Sequence, residues 1–407
     1  MENTPKSLRM HISLFGKTNS GKSSFLNMIT KQQCAITSPI PGTTTDVVDK
    51  TMELLPLGPV VFHDTAGFND NTSLGDLRLE KTLKTFEKTD IGILLVKVNS
   101  WSNIEDEIIK TAQKHNIPLV VVVTFCDIEE PNEEFLNNIA KNNLNEVIFV
   151  NNLDHEKRQS QLELCKAALI KTVPQEFIAT PPYLGDLVKD GDTVILLVPI
   201  DLQAPKGRLI APQVQAIRDC LDNDVTVITV KEKNFVSALD NLKTPPSLIV
   251  CDSQVVDFMI KYTPKGIPCT TFSILMSRLK GDISLLAKGA SAIDQLKDND
   301  KVLIAEACSH HPTQDDIGRV KIPNLLKKYT QKKLDIHVCS GNDFPKDLSS
   351  YSLMIHCGGC MFNRKEILYR LQAAAANNVP VTNYGMCISY IKGVLKEVLK
   401  PFNLEEK

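Results

Sequence analysis

The run Gly16-Lys17-Thr18-Asn19-Ser20-Gly21-Lys22-Ser23, set between an apolar β-branched stretch and an amphipathic one, constrains this chain more than any other feature. A phosphate-binding loop of this kind needs a strand to deliver the chain and a helix to take it away, so that backbone N–H groups converge on phosphate oxygens at the helix N-terminus. Gly16 and Gly21 let the backbone curl, Lys22 is placed to reach β- and γ-phosphates, and the Ser23 hydroxyl to ligate Mg²⁺, with Ser20 and Ser24 on either side. Near the other end stand Cys308-Ser309-His310 and His356-Cys357-Gly358-Gly359-Cys360, whose side chains suit a soft metal such as iron or zinc. Two separate centres must therefore be housed.

At 407 residues the chain exceeds the ~250 to 300 that one core supports. Apolar β-branched runs alternate with amphipathic stretches almost throughout, which predicts an α/β protein: an N-terminal P-loop domain with a mostly parallel sheet, followed by two smaller α/β domains. Strands are expected at residues 11–15, 60–63, 91–98, 119–124 and 147–150, then 194–198, 225–230 and 248–251, then 302–305, 334–338, 353–356 and 379–382. Pro174, Pro181 and Pro182 punctuate a linker, and helical periodicity covers 209–221. The expected domains are 1–172, 178–266 and 267–407.

A formal net charge of −2 offers no basic field for a nucleic-acid backbone. No apolar run approaches the ~18 residues of a membrane span, and the first ten residues carry no signal-like apolar region, so a cytoplasmic protein is expected. Eleven cysteines in such a chain read as reduced thiols or metal ligands, not as a disulfide framework.

Further motifs support nucleotide hydrolysis. Asp64-Thr65-Ala66-Gly67 follows an expected strand, where a carboxylate can hold Mg²⁺ through water and the Gly67 amide can sense the γ-phosphate. Pro41-Gly42-Thr43-Thr44-Thr45-Asp46 offers Thr44 as a second Mg²⁺ ligand. Lys22, Asp64 and Gly67 form the expected catalytic set. Residues 8–170 thereby resemble the translation-factor-related small GTPases. That resemblance brings two expectations. Phe68 stands where Ras-like enzymes carry a water-orienting glutamine, so hydrolysis should be slow. Asn19 matches the asparagine that potassium-activated relatives use as a K⁺ ligand, although it could equally cap the loop. The guanine box is reduced to Thr124-Phe125-Cys126-Asp127, which keeps the base-reading aspartate, and the later loop reads Asn151-Asn152-Leu153.

In the C-terminal constellation, Cys308 and Cys357 each follow an expected strand, and carboxyl ends of parallel strands share one sheet edge. Three thiolates plus a nitrogen donor would suit an iron-sulfur cluster or zinc; a redox dithiol or ordinary core cysteines are the alternatives. Cys339 and Cys387, at or just after strand ends, could reach the same edge but read as structural.

Over essentially its full length the chain resembles the HydF family, the GTPases that mature the H-cluster of FeFe-hydrogenases. The residues that carry this are Met52-Glu53-Leu54-Leu55-Pro56-Leu57-Gly58-Pro59, Pro199-Ile200-Asp201, Ala204-Pro205-Lys206-Gly207-Arg208, Cys308-Ser309-His310-His311, Asp316-Ile317-Gly318-Arg319, Lys321-Ile322-Pro323 and His356-Cys357-Gly358-Gly359-Cys360. The resemblance implies a homodimer through residues 178–266 and a 4Fe-4S cluster on Cys308, Cys357 and Cys360, with an exchangeable position at which His310 or His356 is the candidate ligand. It also implies apo-hydrogenase and the radical SAM maturases as partners, and delivery of a di-iron precursor. A regulatory GTPase with a structural zinc site is the rival reading.

Overall fold

The computed structural model of the chain describes residues 5–30, 48–65, 67, 82–142, 144, 146–151, 157–173, 182–200, 209–307, 316–341 and 343–404. These fall into two compact units, 1–180 and 181–407.

The first unit is built on a six-stranded sheet. Its strands are β1 (Met10–Phe15), β2 (Val48–Leu54), β3 (Gly58–Asp64), β4 (Ile91–Lys97), β5 (Leu119–Thr124) and β6 (Glu146–Phe149), in the spatial order β2-β3-β1-β4-β5-β6. Every pairing is parallel except β2 with β3. β1 and β5 are buried along their whole length, as continuous apolar runs covered on both faces should be. Helices α1 (Lys22–Thr30), α2 (Asn103–Lys114), α3 (Glu133–Lys141) and α4 (Arg158–Thr172) belong to the same unit. Two apolar clusters flank the sheet. One centres on Ile12, Leu14, Phe25 and Leu169, the other on Phe15, Leu94, Ile108 and Val121. The antiparallel edge strand β2 was not anticipated: Val48-Asp-Lys-Thr-Met-Glu-Leu mixes charge with apolar residues and lacks the continuous hydrophobicity of its neighbours.

The second unit holds two four-stranded parallel sheets over one continuous hydrophobic core. The first comprises β7 (Thr193–Leu197), β8 (Thr226–Val230), β9 (Leu248–Cys251) and β10 (Cys269–Thr271), ordered β10-β9-β7-β8. Its helices are α5 (Ala211–Asp222), α6 (Glu232–Asp240), α7 (Val256–Tyr262) and α8 (Phe272–Lys280). The second sheet comprises β11 (Lys301–Glu306), β12 (Asp335–Ser340), β13 (Leu353–His356) and β14 (Val381–Asn383), ordered β12-β11-β13-β14. With it go α9 (Ile283–Ala290), α10 (Ile322–Thr330), α11 (Arg364–Ala376), α12 (Tyr384–Ile391) and α13 (Leu395–Leu399).

Two expectations need correcting. A domain limit at 266 would cut off β10, which pairs with β9 and so completes the first of these sheets. Cys387 does not follow a strand directly; it is buried within α12. No described helix is long and apolar enough to cross a membrane.

Candidate functional site: nucleotide loop and cysteine turn

β1 lies between β3 and β4, and the chain passes from β1 to the β2-β3 side of it and from β3 to the β4 side, a switch of direction that opens a crevice at the carboxyl ends of these strands. The phosphate loop occupies that end. Gly16 has φ +142°, and a Cβ on it would stand 2.3 Å from the Leu95 carbonyl oxygen, so only glycine fits. Gly21 also has positive φ, and Asn19, at φ 64°, takes the left-handed conformation that asparagine tolerates. Its side chain is exposed. Lys22 opens α1, with Ser23 and Ser24 following in the first turn.

Lys22 is buried and folds back on its own loop, its Nζ donating to the carbonyls of Gly16 at 3.1 Å and Lys17 at 2.7 Å. Burial lowers its pKa to about 8, against the pull of Asp64. Ser23 Oγ donates to Asp64 Oδ2 at 2.9 Å, while the second carboxylate oxygen of Asp64 is buried with no hydrogen-bond partner. Burial raises the Asp64 pKa. A buried carboxylate with a spare oxygen beside a serine hydroxyl fits Mg²⁺, which would give that oxygen its missing partner, directly or through water, and favour the charged form. Gly67 packs directly on the loop, since a Cβ there would meet Thr18 Cα at 2.6 Å. The structure thus brings Asp64 and Gly67 onto the phosphate loop. Thr44 and Phe68 lie outside the described residues, as do Asn152 and Leu153.

Two supports of this loop were not anticipated. Lys17 pairs with Glu105 at 2.9 Å and donates to the Ser100 carbonyl at 2.9 Å; Glu105, 1% exposed, also closes the capping box of α2 with Ser102. Thr124, at the end of β5, donates its hydroxyl to the Ser20 carbonyl at 2.9 Å. In the reduced guanine box this threonine therefore ties the base-recognition strand to the phosphate loop. Phe125 follows at φ 61°, with Lys97 over its ring, and Asp127 is exposed in the next turn. Neither Thr124 nor Lys17 carries a motif signal of its own.

The cysteine turn is built in the same way at a second sheet edge. β11 lies between β12 and β13, with Ala305 in register with His356, so both strands reach one edge together. Cys357 follows β13 directly. Its Sγ accepts the N–H of Ala307 at 3.1 Å and of Gly359 at 3.4 Å. Ala307 is the residue before Cys308. Two amide donors on one sulfur suit a thiolate ligand. Gly359 has φ +64°, and a Cβ on it would stand 2.5 Å from Ile367 Cδ1, which explains the glycine there. Cys360 completes the turn before Asn363 caps α11.

Cys308 and His310 lie outside the described residues, and among the described residues no group of three or more metal-binding side chains is assembled. His356 is engaged within the protein: Nδ1 donates to the Cys357 carbonyl at 2.7 Å, and Nε2 faces Arg370 at 3.4 Å. Burial, with Arg370, lowers its pKa to about 4. Behind the same edge, Glu306 is paired with Arg319 at 3.0 Å, accepts from Ser340, and meets Tyr384 OH. Gly318 leaves room for Tyr384 OH, which a Cβ would approach to 2.0 Å. That contact accounts for glycine within Asp316-Ile317-Gly318-Arg319.

Fold and loop define a P-loop GTPase domain followed by an α/β unit with a cysteine turn, and comparison with known proteins narrows the class. Residues 183–281 match the hydrogen maturase F dimerization domain, 284–401 the hydrogen maturase F tetramerization domain, and 11–125 a 50S ribosome-binding GTPase domain. The chain belongs to the hydrogen maturase F family of hydrogenase-maturation GTPases. Among curated proteins it is 38% identical over 121 residues to the tRNA modification GTPase MnmE of Prochlorococcus marinus (strain NATL1A), covering 29% of this chain and 26% of that protein. It is 34% identical over 154 residues to GTPase Der of Persephonella marina (strain DSM 14350 / EX-H1), covering 36% and 34%. The chain thus spans between a quarter and about a third of the length of these relatives. Among solved structures, Era in complex with MgGDPNP and nucleotides of 16S ribosomal RNA aligns at 18% identity and TM-score 0.36, covering 56% of this chain and 94% of that one.

Proposed function

We propose that this protein binds and slowly hydrolyses Mg-GTP in its first unit and carries a 4Fe-4S cluster on Cys308, Cys357 and Cys360 in its second, delivering a di-iron precursor to apo-hydrogenase. The observation that carries the reading is the Cys357 sulfur, which receives two backbone amides at the sheet edge where β11 also ends, one of them from the residue preceding Cys308. Such a cluster would offer iron sites held by thiolates, with one position left to an exchangeable ligand. His310 is the favoured imidazole for that position, because both nitrogens of His356 are engaged.

In the first unit, the amides of the phosphate loop would bind phosphate oxygens, and Lys22 would exchange its two loop carbonyls for the β- and γ-phosphates. Ser23, with Asp64 and Thr44, would hold Mg²⁺, which neutralises phosphate charge. Asn19 would place K⁺ beside the phosphates. Asp127 is the remaining guanine-reading side chain. A homodimer through the middle segment accords with β8 as an open sheet edge and with exposed Val214 and Leu221 on α5. The partners of this reading are apo-hydrogenase and the radical SAM maturases, and the compartment is the cytoplasm.

The test is activation of apo-hydrogenase by protein produced together with the maturases, scored as hydrogen evolution. Wild type should activate, and Cys357→Ser and Cys360→Ser should not. Activation that survives both cysteine changes would defeat the scaffold reading in favour of a regulatory GTPase with a structural zinc site.

A further inference from the structure

Lys280 ends α8, the last helix of the segment matched by the dimerization-domain family, yet its ammonium is buried beneath the cysteine turn of the segment that follows. The side chain is 2% exposed. Its Nζ donates to the carbonyls of Phe362 at 2.6 Å and Gly359 at 3.0 Å, and reaches that of Cys360 at 3.4 Å. An ammonium has three donors, and these three carbonyls use them all. They belong to the turn holding Cys360 and to the residues just after it, where no ladder is present to satisfy inward-pointing carbonyls. The clasp is reciprocal, because Arg364 Nη1, from the first turn of α11, donates to the Leu279 carbonyl of α8 at 2.7 Å. Further along α8, Ser273 and Ser277 bond Asn383 at the end of β14. The helix is stitched to the edge that carries the turn.

Charge makes the arrangement more specific. A buried ammonium is costly unless an anion or a full set of acceptors compensates it. Burial lowers the pKa of Lys280 to about 8, and the groups that act against that burial are Cys360, then Cys357, then Glu366. Beside the clasp, Lys280, Ser277, His356, Cys357, Gly358 and Asn383 share the wall of a small cavity of about 20 Å³, room for one water.

We propose that Lys280 is the positioning residue of the cysteine turn, holding Cys357–Cys360 in ligand geometry and supplying the buried positive charge that balances a thiolate-bound centre there. The proposal rests on the cluster reading for its second half only. α8 thereby links the middle segment to the metal centre. A shift in the register of α8 would move the turn.

The experiment compares wild type, Lys280→Met, Lys280→Gln and Lys280→Arg in the full chain. In metal-free protein, backbone hydrogen exchange is followed in peptides covering 357–362, with a peptide from α12 as the folding reference. The Met and Gln variants should exchange at least tenfold faster in 357–362 with α12 unchanged, and Arg should restore part of the protection. In anaerobically reconstituted protein, the Met variant should lose iron to a chelator about tenfold faster and show a lower reduction potential, because a cation favouring the reduced cluster is gone. Arg should keep the potential near wild type. Wild-type exchange and an unshifted potential in the Met variant would overturn the proposal. So would α12 loosening together with the turn in both Met and Gln, which would make Lys280 a residue of the fold as a whole. If wild type takes up no iron, the cluster reading and the charge-balancing half fall together, and the metal-free exchange still decides the positioning half.

Discussion

Replacing Lys22 with Met should make the nucleotide-free first unit more stable while removing its response to GTP. The ammonium is buried in the free protein, and its pKa falls from an ordinary 10.5 to about 8. That difference corresponds to roughly 3 kcal/mol of unfavourable burial at neutral pH. Methionine has similar length and removes this cost. It also forfeits two hydrogen bonds, to the Gly16 and Lys17 carbonyls, each worth about 1 kcal/mol. The net expectation is a gain of about 1 kcal/mol. The sign with pH follows from linkage: between about 8 and 10.5 the unfolded chain holds a proton that the folded lysine has lost, so wild-type stability rises with pH across that window. The advantage of methionine should be full below pH 8 and fade towards pH 10.5. With Mg-GTP at a hundred times its Kd, wild type should gain about 2.7 kcal/mol and the variant almost nothing. Trp101, the one tryptophan, lies in this unit, so its fluorescence in a urea titration reports the right transition. A variant clearly less stable than wild type without nucleotide, or one stabilised equally by GTP, would refute the reasoning.

Other perturbations probe separate contacts. Thr124→Val removes the donor to the buried Ser20 carbonyl and should destabilise the first unit by about 1 to 3 kcal/mol and weaken GTP binding, read by the same titration and by calorimetry; unchanged affinity would contradict the bridge. Gly359→Ala imposes a left-handed alanine and a 2.5 Å contact with Ile367, costing about 1 to 2 kcal/mol and lowering reconstituted iron; full iron content would count against a tight turn. GTP turnover should be faster in K⁺ than in Na⁺ and the difference should vanish in Asn19→Ala; equal wild-type rates in both salts would remove the K⁺ role of Asn19. His310→Ala should retain most cluster iron, and loss as complete as in the cysteine variants would show that the imidazole is an obligatory ligand.

Much of this was legible in the sequence where function is local. The phosphate loop, Asp64 and Gly67 announce themselves by spacing, because backbone curvature and phosphate approach impose glycine at fixed places. Strands buried on both faces, such as β5 and β9, read as unbroken apolar runs. What escaped depends on distant partners. β2 is an edge strand that mixes charged with apolar residues, and β10 has only three residues. Lys280 sits in Phe-Ser-Ile-Leu-Met-Ser-Arg-Leu-Lys, where a terminal lysine reads as solvated, and only the fold reveals the three carbonyls waiting for it. His356 shows the converse. Adjacent to Cys357 in sequence it is a candidate ligand, and the sequence gives no sign that in the fold its ring bonds the Cys357 carbonyl and faces Arg370 of α11.

The most direct measurement is metal analysis with electron paramagnetic resonance on anaerobically reconstituted, dithionite-reduced protein. About four irons per chain are expected, with a reduced 4Fe-4S signal that changes on adding cyanide or imidazole and loss of both iron and signal in Cys357→Ser. Stoichiometric zinc without iron, or a cluster signal that persists in Cys357→Ser, would contradict this expectation.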